Sequence, residues 1–122
     1  MTQDNVVADS NGSNSFSFED FIKADIRAGT IRKAEVIPKS NKLLKLEVFF
    51  GNEVGTRIIA AGIAKHYSPE LAIGQRVLAV VNLPPRTLMG IESHGMILAA
   101  KDADGDVWLA ACAAVDDGAK LG

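Results

Sequence analysis

Leu44-Lys45-Leu46-Glu47-Val48-Phe49-Phe50 is the stretch on which the fold turns. Leu44, Leu46, Val48 and Phe50 alternate with Lys45, Glu47 and Phe49, the period of two that puts one face of a strand in a core. Downstream, Gly51-Asn52-Glu53-Val54-Gly55 reads as a turn and Arg57-Ile58-Ile59-Ala60-Ala61 as the returning strand. Upstream, Ile26 and Ala28 share one parity and Ile31 has the other, with Gly29 between them. A parity change at a glycine predicts a bulge there, a device that bends a strand around a small barrel.

Farther out, Ser68-Pro69-Glu70-Leu71 supplies a capping serine and a first-turn proline for a short helix ended by Gly74. Arg76 to Val81 is a fourth strand. A long loop with Pro84, Pro85 and Gly90 leads to a fifth, Met96 to Ala100. Asp104-Gly105 turns the chain into Val107-Trp108-Leu109, which pairs back. Before the strands, Phe18, Phe21 and Ile22 share a helical face behind a Ser17 cap. This order predicts an all-β, five-stranded Greek-key barrel of the OB-fold, with a short helix between strands 3 and 4; closure removes the open edges that short strands would leave. Residues 1–15 read as a disordered polar leader and 16–122 as one domain.

The chain's 122 residues suffice for a single core, and 48% hydrophobic with 23% charged residues is an ordinary globular balance. No apolar run approaches a membrane span, and the N-terminus has no secretory pattern. One cysteine, Cys112, lies among alanines and reads as a small buried hydrophobe. A cytoplasmic protein is expected.

A formal net charge of −2 hides an uneven distribution. Between Arg27 and Arg86 ten basic residues face four acids, a local excess of +6, while the two ends are acidic. Fields near a surface follow local charge, because screening limits their reach to about 8–10 Å. The stretch is therefore either a basic face or scattered solvated charge. In OB-folds the ligand face crosses strands 2 and 3 and is flanked by the first-second and fourth-fifth loops. Lys39 and Lys42 lie in the first loop, Arg86 in the second, and Lys45 and Arg57 on the strands between them. That convergence favours a nucleic-acid partner. One Trp, one Tyr and five Phe are too few for a stacking track along single strands, so a folded RNA read by backbone and shape, with one or two splayed bases, fits better.

Catalytic and metal chemistry find little support. His66 and His94 have no ligand-spaced partners. Asp102, Asp104 and Asp106 with Gly105 faintly resemble the start of a calcium loop, but its closing glutamate is missing, and an acidic hairpin tip is the simpler reading. No phosphate-cradling glycine loop and no nucleophile with a base partner occur. The expectation is a protein that is not an enzyme and needs no cofactor.

Asp25-Ile26-Arg27-Ala28-Gly29, Asn41-Lys42-Leu43-Leu44-Lys45-Leu46, Ala61-Gly62-Ile63-Ala64, Tyr67-Ser68-Pro69-Glu70, Val81-Asn82-Leu83 and Ser93-His94-Gly95-Met96-Ile97-Leu98 occur in that order. Over roughly residues 18–120 the chain thereby resembles the tRNA-binding domain of bacterial methionyl-tRNA synthetases, of free-standing dimeric tRNA-binding proteins and of CsaA-type secretion chaperones. The resemblance implies tRNA binding, with Lys42, Asn82, Ser93 and Met96 lining the RNA site. Met96 is alternatively a core position, and Asn82 and Ser93 alternatively bond loop backbone. Ala61 stands where the family often has Ser, and Ser40-Asn41 where it has Ala-Asp, which leaves the cations in place and fine specificity open.

The resemblance also implies a homodimer joined through 16–22 and 107–121. The alternative is a chaperone holding unfolded or preprotein segments against Ile63, Leu88, Met89 and Ile91, with Pro84-Pro85-Arg86 similar to that subgroup. A third reading is a module that docks on an aminoacyl-tRNA synthetase.

Overall fold

Alternation builds the barrel in the computed structural model, which describes residues 14–122. Ser17 caps α1 (Phe18–Phe21) by accepting from the Asp20 amide. Then follow β1 (Ile26–Val36), β2 (Leu44–Phe49), α2 (Gly51–Val54) and β3 (Thr56–Ala61). Ser68 caps α3 (Pro69–Ala72) through the Leu71 amide, as the serine-proline pair predicts. The chain continues through β4 (Arg76–Val80), β5 (Arg86–Leu88), β6 (Ile91–Ser93), β7 (Met96–Ile97), β8 (Ala99–Lys101) and β9 (Val107–Leu109).

Five strands form one antiparallel sheet in the order β3-β2-β1-β4-β7. It curls until β3 reaches the segment that leads from β6 into β7: the Ala60 amide donates to Ser93 Oγ at 3.0 Å, and the His94 amide to the Ile58 carbonyl at 2.8 Å. This is the nearly closed OB-fold barrel. Ile31, Leu44, Leu46, Val48, Phe50, Ile59 and Val77 are fully buried inside it. Each such side chain contributes about 1.5–3 kcal/mol by leaving water. A second cluster of Ile26, Ala28, Leu78 and Val80 lies under the C-terminal segment, where Cys112 is half-buried rather than fully enclosed. That segment runs along β1, with Gly118 and Leu121 donating to Ala28 and Ile26 carbonyls at 2.7 and 2.8 Å.

The structure departs from the sequence reading in three places. Gly29 is not the bulge. The β1–β2 register shifts between Ile31 and Lys33, leaving Arg32 over the Phe49 ring at 3.9 Å, whereas Gly29 pairs regularly with Val77. The loop from Asn82 to His94 holds the β5–β6 hairpin, turned at Met89 (φ 50°) and Gly90 (φ 81°). Two consecutive positive φ angles make the tight turn whose twist suits a hairpin. The fifth strand is also divided. At Leu98 the chain leaves β4 and takes β9 as its partner, so β8–β9 forms a separate ribbon. Asn14 and Ser15 excepted, the expected leader lies outside the described residues.

Candidate nucleic-acid interface

The loop between β1 and β2 is shaped by Ser40, whose hydroxyl accepts from the amides of Lys42 and Leu43 at 3.3 and 3.1 Å. Lys39 takes a positive φ of 69° to enter this turn. The Ala64 amide then bonds the Lys42 carbonyl at 3.0 Å, tying the loop to the segment after β3. As a result Lys39, Lys42, Lys65 and Lys101 line one open cleft of about 640 Å³ with His66 and Met89. Among the described residues none of these four lysines forms an ion pair. Their charge is available to a polyanion.

Arg86, Ser93 and Met96 meet in a smaller hollow of about 100 Å³ with Leu83, Pro84 and Leu88, floored by Ala60 and Gly95. The β5–β6 hairpin divides the two hollows. Met89 at its tip reaches the lysine cleft, while Arg86 at its base reaches the second hollow. Met96 is 49% exposed, so it is a surface residue and not the core position that the strand pattern also allowed.

Lys45, Arg57 and Asn82 lie outside both hollows, and they and Ser93 have partners within the protein. Lys45 lies outward on β2, 4.0 Å from Glu35 and beside Lys33 and Glu47, which are themselves 3.9 Å apart. Arg57 faces Val48 across the β2–β3 ladder, the inward parity, and donates to the Val81 carbonyl at 2.8 Å. Asn82 spends both ends of its amide on the backbone: Oδ1 accepts from Asp25 N at 2.8 Å and Nδ2 donates to Lys23 O at 2.7 Å. Ser93 is 4% exposed and closes the barrel. Ile63, expected to be exposed beside the site, is core at 3%. Sequence reasoning missed Lys65, Lys101 and His66 as cleft residues. Only their distance from the barrel loops, in fold order, concealed them.

Away from the clefts, Arg27 donates to Asp25 at 2.7 and 3.2 Å and to Glu53 at 3.0 Å. Those bonds hold the Asp25 carboxyl below its ordinary range and push the Arg27 guanidinium higher still. Asp102, Asp104 and Asp106 bring ligand oxygens within 4.8 Å of one another, all exposed. Asp102, however, already accepts from the amides of Asp104 and Asp106 and from Trp108 Nε1, each at 3.0 Å. The indole bond is the main cause of its lowered pKa. The cluster is built as a turn, the acidic hairpin tip that its spacing suggests.

Comparison with known proteins agrees with this geometry. The family described as "Putative tRNA binding domain" matches residues 26–122. Methionine–tRNA ligase of Porphyromonas gingivalis is 54% identical over 91 residues, which is 75% of this chain and 13% of that enzyme. The chain thus spans a small part of such curated relatives. A MetRS-related protein from Pyrococcus horikoshii superposes with a TM-score of 0.81 at 37% identity, covering 89% of this chain and 99% of the other. Chaperone CsaA of Bacillus anthracis gives 0.79 at 38%, covering 88% and 99%. With nearly the whole barrel matched in sequence and in shape, the chain belongs to the tRNA-binding domain family.

Proposed function

We propose that this chain binds folded tRNA without catalysing a reaction, gripping phosphates with Lys39, Lys42, Lys65 and Lys101 and reaching toward bases with Arg86 and Met96. The observation that carries the reading is the convergence of four lysines, unpaired among the described residues, on one cleft. Cations so placed release counterions from a polyanion and bind its backbone regardless of sequence. Lys45, Arg57, Asn82 and Ser93 support the site through the barrel and its ends.

The protein acts as a cytoplasmic homodimer in this reading. Phe18 and Phe21 of α1 and Ile22 at its C-cap are 69%, 44% and 54% exposed, an apolar face suited to a second copy. Because β9 already pairs with β8 of its own chain, the pairing runs through α1 and the chain after β9. This leaves Trp108 and two lysine clefts free, and the second contact gains from effective concentration. The competing reading is a chaperone for unfolded segments, favoured by the likeness to CsaA and by exposed Met89 and Leu83. Burial of Ile63 removes one wall of the groove it needs.

Anisotropy of labelled bulk tRNA, titrated across a salt series with duplex DNA and an unfolded polypeptide as competitors, tests the proposal. Binding that weakens steeply with salt and resists both competitors is expected. Absence of RNA binding, or displacement by the polypeptide alone, overturns it in favour of the chaperone.

A further inference from the structure

Trp108 stands on the outward face of β9, between Val107 and Leu109, which pack against the core. It is 60% exposed. An indole so placed is usually free to turn, but this one is held: Nε1 donates to Asp102 Oδ2 at 3.0 Å. Beside it lies a hollow of about 250 Å³ lined by Tyr67, Leu71, Gln75, Val107 and Trp108, with His66 and Asp106 at its rim. The walls are fixed by further bonds. Tyr67 Oη accepts from the Leu109 amide at 3.1 Å, Gln75 Nε2 donates to the Leu71 carbonyl at 3.2 Å, and His66 Nε2 lies 3.3 Å from Asp106.

His66 and Val107 belong to this hollow and to the lysine cleft alike. Whatever fills the hollow therefore adjoins the cleft that Lys39, Lys42, Lys65 and Lys101 line. We propose that the hollow beside Trp108 receives one unpaired nucleobase of the bound RNA, stacked on the indole, while the neighbouring lysines hold the phosphates that flank it. The inference rests on the RNA-binding reading and adds a base subsite to it.

Charge and polarity select this occupant. Among the described residues no lysine or arginine lines the hollow, and Asp106 does, whereas four lysines line the cleft, so phosphate is favoured in the cleft and an uncharged group in the hollow. A base carries no charge, has a π-face for the indole, and offers donors and acceptors to Gln75 and Asp106. An aliphatic side chain of an unfolded peptide would cover those polar groups without pairing them. Because the indole and its neighbours are already ordered, stacking requires little further loss of side-chain freedom.

Trp108 is the single tryptophan of the chain, so its emission reports this hollow alone. Unlabelled full-length protein is titrated with bulk tRNA while fluorescence lifetime and acrylamide quenching are recorded, and anisotropy of labelled tRNA is followed in parallel. A shortened lifetime and reduced acrylamide access, both tracking the anisotropy isotherm, are expected. Trp108→Ala should weaken binding roughly tenfold with an unaltered salt slope, and Trp108→Phe should restore most of it. Binding by anisotropy with lifetime and acrylamide access unchanged overturns the base subsite and leaves the RNA reading standing. Absence of binding by anisotropy overturns both.

Discussion

Gly29 lies flat against the ring of Phe50: a methyl group on its Cα would stand 2.6 Å from Phe50 Cδ1 and 2.9 Å from the Phe49 carbonyl oxygen. Phe50 is fully buried at the end of β2 and cannot swing aside, and the carbonyl is backbone. Gly29→Ala should therefore destabilise the barrel by about 1–3 kcal/mol, the usual cost of overpacking. Urea unfolding monitored by circular dichroism checks this. A midpoint equal to that of the parent would mean that β1 shifts at no cost.

That contact also shows how far the sequence speaks for the fold. Alternation from Leu44 to Phe50 announces β2, and the Ser68-Pro69 cap announces α3, because both signals are local. The parity change around Gly29 is visible too, but its cause is not. Ile26 and Ala28 face the cluster under the C-terminal segment while Ile31 faces the barrel core. Gly29 makes room for a ring twenty-one positions away, and the bulge falls at Arg32. The β5–β6 hairpin was hidden because Met89 takes a positive φ that asparagine or glycine would have advertised. Within the site, Lys42 and Arg86 were legible from loop position. Asn82 and Ser93 carry bonds to Asp25, Lys23 and Ala60 that no local pattern encodes. Lys65 and Lys101 reach the cleft through the tertiary path of the chain.

Cleft lysines and barrel cations should separate in their salt dependence. Lys42→Ala and Lys65→Ala each remove one phosphate contact in the proposed complex, so each should weaken tRNA binding and lower the salt slope by about one counterion. Arg57→Ala should leave the slope unchanged and lower stability by about 1–3 kcal/mol, since the Val81 carbonyl loses its donor. The slopes come from anisotropy titrations at several salt concentrations and the stabilities from urea melts. A slope reduced in Arg57→Ala alone would reverse the assignment.

Asn82 joins the end of β4 to the exit of α1 across nearly sixty residues. Asn82→Ala leaves the Asp25 amide and the Lys23 carbonyl without their side-chain partner, which should loosen α1 and cost about 1 kcal/mol at this exposed place. Amide hydrogen exchange is the suitable measurement. Faster exchange at Asp25, with protection in β2 and β3 retained, is the expected result. Equal loss of protection throughout the barrel would show that Asn82 supports the whole fold.

Asp25 provides a pH signature of the same end of the barrel. Hydrogen bonds from Arg27 are the main cause of its lowered pKa, and burial opposes them only in part. A carboxyl with a folded-state pKa below its unfolded value stabilises the protein above that unfolded value and loses the contribution as pH falls through the folded one. The stability difference between the parent and Asp25→Asn should thus be full at neutral pH, begin to shrink near the ordinary 3.8, and vanish below the folded-state pKa. Urea melts at stepped pH measure the difference, and side-chain carboxyl chemical shifts locate the titration. A midpoint at or above 3.8 would mean that Arg27 serves Glu53 and the Gly118 carbonyl in solution, leaving Asp25 to the solvent.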